Sequence, residues 1–313
     1  MGRGGPGTRM GVHVGALSVE ALSMPVPRVV LAAAAGTAAL VAAAARFDLR
    51  PGGVAQTAAG GALVVACSAV ALSASRVAPL SAATSFQGVL AGTAANAITP
   101  AGIGGTAISA RLHARTGLTA DEAVAAITLR ALAGAVASVV VTSVAAATFG
   151  VPTPRIPVSA ALAIATVVLG GLALALACPR RRGRAAHHVR ATGAAVGGVL
   201  KHPVRTALLL AGAVGVVVAQ LLTLDGAVRA VGGHASLGPL LVALLGSSAA
   251  RAALPSPGGV GPVEAALVAG LAALGLPMGA AAVAVGVYRT AGLWLPVAAG
   301  VLALRGLRRR SLV

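Results

Sequence analysis

The chain has 313 residues, of which 58% are hydrophobic and 10% are charged, and its net charge is +18. Its apolar runs reach the roughly 20 residues that a membrane-spanning helix requires, which excludes an ordinary soluble domain. The basic residues lie at the ends of these runs rather than in one patch, so the charge does not indicate a nucleic-acid partner.

The amino terminus precedes the first apolar run. Residues 1–23 are polar and Gly-rich. We interpret them either as a disordered tail or as the product of a start codon assigned too far upstream, because Met24 directly precedes the run. Residues 25–45 end in an Ala-x-Ala pattern that is typical of a signal-peptide cleavage site. We favour a retained anchor because the run is long, and we assign residues 24–313 to one membrane domain.

The apolar runs predict the spanning helices. Runs at 29–45, 54–74, 123–147, 158–177 and 206–228 are each long enough to cross a bilayer, and a last run covers about 279–304. The sequence therefore predicts an all-α polytopic membrane protein with about six spanning helices. Both cysteines, Cys67 and Cys178, lie inside such runs, where we interpret them as small packing residues rather than disulfide or metal ligands.

A short Pro/Gly pattern occurs twice. It reads TPAGIG at 99–104 and SPGGVG at 256–261, and each copy is followed by Gly-Leu and then by an arginine within an apolar run, Arg130 or Arg289. This pattern indicates an internal repeat, covering about 54–148 and 206–305. Two interrupted apolar segments at corresponding positions of two halves are the best sequence indication of a transport site.

The distribution of charge orients the chain, because basic residues accumulate on the cytoplasmic side. The basic residues assigned to the cytoplasm are Arg3, Arg9, Arg28, Arg76, Arg111, Arg115, those of the loop 179–205 and those at the end of the chain from Arg305; those assigned to the outside are Arg46, Arg50, Arg155 and Arg229. Both termini are then cytoplasmic. Residues 79–118 enter and leave on the cytoplasmic side and residues 236–276 on the outer side, so the two repeats are inverted.

The segments around the two Pro/Gly motifs form helical hairpins in this interpretation, either re-entrant or short-span. The topology does not distinguish the two, because a re-entrant hairpin and a hairpin that crosses twice both enter and leave on the same side of the membrane. We favour re-entrant hairpins, because the first one carries polar residues such as Gln87 and Asn96 that do not suit a lipid-facing helix. Broken backbone at membrane depth is tolerated where protein or a watery cavity surrounds it, so the hairpin tips are expected to line a cavity.

Such tips are candidate anion sites. The free N–H groups and the positive dipole end at the start of the second arm attract a negative charge, and glycine lets a ligand approach the backbone closely. A structural kink is the alternative for either motif. The candidate binding residues in the two motifs are Pro100, Gly102, Gly104, Gly105, Pro257, Gly258, Gly259 and Gly261.

Arginines within the predicted spans are further candidates, because a charge there is costly and needs a partner. Arg130 and Arg289 occupy corresponding positions in the two repeats, which suggests a two-fold anion clamp; Arg251, just before the second motif, is a third candidate. The alternative is an internal ion pair. Asp225 and Glu264 are the acidic residues of the predicted core, and Glu264 lies in the first turn of its helix.

These motifs resemble a known family. The stretch LPSPGGVGPVEAAL at 254–267, LGLP at 274–277, Tyr288-Arg289 and LWLP at 293–296 are similar to the carboxy-terminal signature of the lysylphosphatidylglycerol synthase transmembrane-region family, which is flippase-like. The stretch NAITPAGIGG at 96–105 resembles its first, Asn-containing motif. The resemblance covers about residues 25–305.

The resemblance implies a lipid-related activity. Members of the family are associated with moving aminoacylated phosphatidylglycerol or isoprenoid-linked sugars between leaflets, and the positions implied here are Pro257, Gly258, Gly259, Gly261, Glu264 and Arg289. The chain departs from the family at 106–108, where it has Thr-Ala-Ile instead of charged or polar residues. No soluble aminoacyl-transferase domain follows the membrane region, so lipid aminoacylation by this polypeptide is not expected.

The sequence thus predicts a cell-membrane translocase for an anionic phospholipid or an isoprenoid-linked glycolipid. A small-molecule or ion secondary transporter with the same hairpins is the alternative. A lipid-modifying enzyme is disfavoured, because its acid, base or nucleophile would have to come from Asp225 and Glu264. We expect membrane lipids, anionic ones above all, as partners, with a homo-oligomer left open, and no nucleic acid, metal or cofactor.

Overall fold

The computed structural model describes residues 47–76, 78–99, 102–149, 193–194, 196–254 and 256–313. These residues form helices and connecting turns, without a strand in the described ranges. The predicted tail, the first and fourth predicted spans and most of the basic loop lie outside the described residues.

The helices follow one another through two similar halves. In chain order they are α1 (Pro51–Ala74), α2 (Ala82–Ile98), α3 (Ile103–Arg115), α4 (Ala120–Phe149), α5 (Pro203–Ala230), α6 (Leu237–Ala253), α7 (Pro262–Ala273), α8 (Met278–Arg289) and α9 (Leu295–Arg309). A 3₁₀ turn, Pro257–Gly259, precedes α7, and a π-helical turn, Thr290–Trp294, joins α8 to α9.

Four of the predicted spans are confirmed as helices long and apolar enough to cross a membrane. They are α1, α4, α5 and the continuous unit Met278–Arg309, with mean hydropathies from 1.4 to 2.3. The π-helical turn in the last of these lies just before Pro296, whose missing N–H interrupts regular α-helical bonding there.

Both Pro/Gly motifs lie between the two arms of a helical hairpin, as the sequence predicts. The hairpin arms are α2 with α3 and α6 with α7; the second arms have only 13 and 12 residues. At 1.5 Å per residue these second arms extend roughly 18–20 Å, less than the ~30 Å of a hydrocarbon core. The tip of the second hairpin packs against the end of α2 near Ala97, so the two tips meet within the bundle.

The two halves of the chain interlock. In the first hairpin, α2 packs along α9, which is the last helix of the second half. In turn, α4 of the first half packs against α5 and α6 of the second half. Gly300 of α9 lies directly against the backbone of Leu90 on α2. Each hairpin therefore packs against helices of both halves, while Ile103 at the first bend and Val260 and Gly261 at the second stay exposed.

Small residues bring α1 and α5 together as an antiparallel pair. Gly53 lies against Ala230 at one end, and Gly212 lies against Ala71 near the other. A Cβ atom at Gly212 would lie 2.9 Å from the backbone nitrogen of Ala71 and 2.9 Å from the carbonyl oxygen of Cys67. Such close backbone approach is typical of helix packing in membranes, where dispersion contacts take the place of the hydrophobic effect.

Several basic residues mark the two opposite ends of this bundle. Arg76, which is 3% exposed, donates hydrogen bonds to Thr116, and Arg205 donates one to the carbonyl oxygen of Arg76. Leu307 of α9 packs against Leu72 and Leu112, so the Arg-rich end of the chain lies on the same side. The backbone of Arg50 bonds to Ala230 at the other end. We call these the Arg76 end and the Arg50 end.

The α1–α5 contact generates a stability prediction. Replacing Gly212 by Ala should destabilise the protein by about 1–3 kcal/mol, because the new Cβ meets backbone atoms that cannot move aside easily. Gly134→Ala on α4 is the matched control, since no atom lies within 4 Å of its Cβ position, and Ala favours a helix over Gly. Thermal unfolding in detergent measures both. Equal unfolding temperatures of the two variants would show that the α1–α5 contact does not depend on close approach of the two backbones.

Candidate functional site

A central cavity lies where the two hairpin tips meet. Its volume is about 590 Å³, and its walls come from α1, α2, α5, α6, α8 and the turns beside them. The polar side chains that line it are Thr93, Asn96, Gln220, Thr223, Ser247, Ser248, Arg251, Ser256, Tyr288 and Arg289. A group of hydroxyls, amides and cations within apolar helices is suited to a polar ligand rather than to hydrocarbon.

The first tip is held together by neutral side chains of its own hairpin. The N–H of Gly104 donates to Thr99 Oγ1 at 2.8 Å, and the N–H of Gly105 donates to Asn96 Oδ1 at 2.5 Å. Neither N–H is therefore free for a ligand. Both glycines instead bond to side chains of their own hairpin. Gly102, with φ 74°, begins α3 and lines the cavity. Pro100 lies outside the described residues.

The second tip uses three glycines in the left-handed region. The φ angles of Gly258, Gly259 and Gly261 are 62°, 69° and 97°, which other residues adopt only with strain. Gly258 and Gly259 line the cavity directly after Pro257. The N–H of Gly261 donates to Glu264 Oε2 at 2.7 Å, so this carboxylate caps the start of α7 and Gly261 serves the turn.

Arg289 and Glu264 form an ion pair across the second half. Arg289 Nε lies 2.5 Å from Glu264 Oε1, and Arg289 Nη2 donates to the carbonyl oxygen of Gly258 at 3.0 Å. The ion-pair alternative is thus confirmed for Arg289. Because Arg289 also lines the cavity, one side chain ties the broken tip to α8 and presents a largely neutralised cation to the interior.

Arg130 occupies a different environment, which corrects the expectation of a two-fold clamp. It is absent from the lining of the central cavity, and its guanidinium acts electrostatically on the buried His113 of α3. The two arginines correspond in sequence position but not in surroundings. The first hairpin has Ala107 at the position that corresponds to Glu264, so it offers Arg130 no carboxylate like the one that Arg289 contacts.

Arg251 is the cation that faces the cavity without a carboxylate partner among the described residues. It lies in the last turn of α6, and its side chain reaches beneath Gly259, where a Cβ atom would lie 3.1 Å from Arg251 Cδ. The other core carboxylate, Asp225, is occupied elsewhere. It lies 2.8 Å from Arg229 Nε and accepts a hydrogen bond from Gln56 at 2.8 Å.

Several cavity residues were not among the sequence-predicted site residues. Gln220 and Thr223 come from α5, and Tyr288 precedes Arg289 on α8. The sequence feature that could have identified them is that each is a polar residue within an apolar run. In the described ranges, no group of three or more His, Cys, Asp or Glu side chains is placed to hold a metal ion.

The chain matches the family described as lysylphosphatidylglycerol synthase TM region over residues 26–300. It belongs to this family. The match extends over both hairpins and confirms the resemblance read from the motifs, and with the long apolar helices it shows a multi-pass membrane protein of a family associated with lipid handling. No curated protein matches the chain.

The Glu264–Arg289 pair generates a second stability prediction for this family member. Glu264→Gln and Arg289→Gln should each destabilise the protein by about 3 kcal/mol, because each leaves a charge without its partner in a largely buried setting. The double variant should recover a large part of that loss. Thermal unfolding in a double-mutant cycle measures the coupling.

Arg229→Gln serves as the comparison. Its pair with Asp225 has a half-exposed arginine, at 52% side-chain exposure, so its loss should matter less. If the effects of Glu264→Gln and Arg289→Gln simply add, the two side chains do not act as a pair.

Proposed function

We propose that this protein translocates an anionic lipid head group through the central cavity. The observation that carries the proposal is Arg251, a cation without a carboxylate partner among the described residues, at the meeting point of two oppositely inserted hairpins. Arg251 is an exposed residue that lines the cavity, so an anionic group can reach it and form a charge-assisted hydrogen bond. The family supports a lipid as the source of that anion.

The balance of charge in the cavity supports a ligand with negative charge. Glu264 largely neutralises Arg289, whereas Arg251 contributes an uncompensated positive charge. The remaining polar wall consists of hydroxyl and amide groups, which suit the hydroxyls of a glycerol or sugar head group. These features fit both a phospholipid and an isoprenoid-linked glycolipid.

The inverted hairpins support translocation rather than catalysis. Alternating access in inverted-repeat transporters moves one half against the other around a fixed site. The cavity lies between the halves, with α2 from one and α6 from the other. Both core carboxylates, Asp225 and Glu264, are held in ion pairs, which leaves them poorly suited to act as a general acid or base.

A small-molecule transporter is the second candidate. The cavity volume of about 590 Å³ is within the range of roughly 300–1,000 Å³ that small ligands occupy. The two candidates differ in what they move. A lipid translocase moves labelled lipid between leaflets, and a solute transporter moves a soluble anion between compartments without doing so.

The lipid proposal predicts a selective loss of activity in Arg251→Gln. In liposomes that contain the purified protein, we expect fluorescent phosphatidylglycerol to change leaflets faster than fluorescent phosphatidylcholine, measured by dithionite bleaching of the outer leaflet. Arg251→Gln should lower the phosphatidylglycerol rate at least about tenfold, since it removes a charge-assisted contact that contributes about 1.5–3 kcal/mol. Arg251→Lys should retain part of the rate.

Arg111→Gln is the control for this assay, because Arg111 is exposed at the Arg76 end and away from the cavity. Equal rates for both lipids, or an unchanged rate in Arg251→Gln, would contradict the proposal.

We also propose that the Arg76 end faces the cytoplasm, following the positive-inside rule. With Cys67 and Cys178 replaced by Ala, a cysteine at Arg115 should react with an impermeant maleimide only after the cells are opened. A cysteine at Ser236, at the Arg50 end, should react in intact cells. The reverse labelling pattern would invert the topology.

A further inference from the structure

A second cavity lies at the Arg76 end, separate from the central cavity. Its volume is about 550 Å³, and none of its lining residues is shared with the central one. Its walls are the last turns of α1, from Ala69 to Ala74, the first turns of α2, and the first turns of α5. We call it the inner groove.

The greater part of the inner groove is apolar and open to the surroundings of the bundle. Val70, Phe86 and Leu208 line it and are 41%, 40% and 47% exposed, and Val204 at its rim is 70% exposed. On a membrane protein, exposed apolar side chains at this position contact hydrocarbon. A concave apolar surface of this kind accommodates a lipid chain.

One end of the inner groove is positively charged. Arg205 lines it and uses one guanidinium nitrogen to bond the neutral carbonyl oxygen of Arg76, and none of the lining residues is acidic. Both α2 and α5 begin there, and no side chain caps the start of the 28-residue α5. α5 begins with Pro203, which has no N–H, and the N–H of Arg205 donates to the carbonyl oxygen of His202, so what this helix start adds beside the arginine is the positive end of the helix dipole.

A buried polar group also faces the groove without a partner. Ser85 of α2 lines the groove and is 2% exposed, and its hydroxyl finds no hydrogen-bond acceptor or donor within the described residues. Buried polar groups are rarely left unpaired, but the Ser85 oxygen has less than 1 Å² of exposed area, so a ligand atom can supply the missing bond only after this side chain turns toward the groove.

We propose that the inner groove binds one phospholipid with an anionic head group. An acyl chain lies against Val70, Phe86 and Leu208, the phosphate lies at Arg205 and the start of α5, and an ester oxygen bonds the Ser85 hydroxyl once that side chain turns toward the groove. The charge favours an anionic lipid over a zwitterionic one, because the lining residues include the cation Arg205 and no carboxylate. This site is additional to the central cavity and does not depend on the translocation proposal.

Site-specific quenching by brominated lipids tests the proposal in nanodiscs. Trp294 is the single tryptophan of the chain, so Trp294→Phe removes the native signal and Leu208→Trp places a reporter in the groove. Brominated phosphatidylglycerol should bind at this reporter about fivefold more tightly than brominated phosphatidylcholine, the ratio that one cation near a bilayer surface supplies.

Leu210→Trp is the matched control reporter. It lies on the same helix, is 39% exposed and does not line the groove, so the two lipids should quench it equally. Val204→Trp is the second groove reporter, for use if Leu208→Trp alters the fold. The preference for phosphatidylglycerol should fall to about one when Arg205→Gln is added, and should persist with Arg111→Gln or Arg251→Gln.

Persistence with Arg251→Gln would show that the groove acts independently of the central cavity, and loss of the preference in that variant would overturn an independent site. Equal quenching by both lipids at the groove reporters, or a preference that survives Arg205→Gln, would also overturn the proposal. If millimolar inorganic phosphate displaces the brominated lipid, the groove is a free-anion site instead. If the mass of the protein in the nanodisc doubles and the reporter is protected from quenching, a second copy of the chain occupies the groove.

Discussion

The structure depends on satisfying broken backbone inside a membrane domain. Hydrocarbon offers no hydrogen bonds, so the N–H and C=O groups at the two hairpin tips need partners from the protein. Asn96 and Thr99 supply acceptors at the first tip, and Glu264 and Arg289 supply an acceptor and a donor at the second. Helices from both halves also pack against the tips, while Ile103 and Val260 in the bends stay exposed.

The two repeats solve this problem with different chemistry. Neutral side chains bond the first tip, whereas a charged pair bonds the second. In that pair, Glu264 largely neutralises the charge of Arg289. The cavity is therefore asymmetric despite the repeated architecture. Its free positive charge lies on α6 of the second half, and the first half contributes mainly amide and hydroxyl groups.

The central cavity and the inner groove share three helices, α1, α2 and α5. Val64 of α1 lines the cavity and Ala69 lines the groove, a separation of roughly 8 Å along the helix. On α5, Gln220 faces the cavity, and Arg205 and Leu208 face the groove. The small residues that join α1 to α5 thus also set the relative positions of the two sites. A lipid held in the groove lies close to the cavity.

The sequence by itself determined the membrane setting, four of the described helices and both hairpin bends, because these depend on local properties. Run length decides a span, and the glycines at 258, 259 and 261 permit the left-handed turn that ends an arm. The signature around 254–267 was sufficient for the family. Only the tertiary structure decided that Arg289 pairs with Glu264, that Arg130 lies away from the cavity, and that Asn96 uses the N–H of Gly105. These contacts depend on how the helices pack and which face each one turns inward, and hydropathy does not specify either.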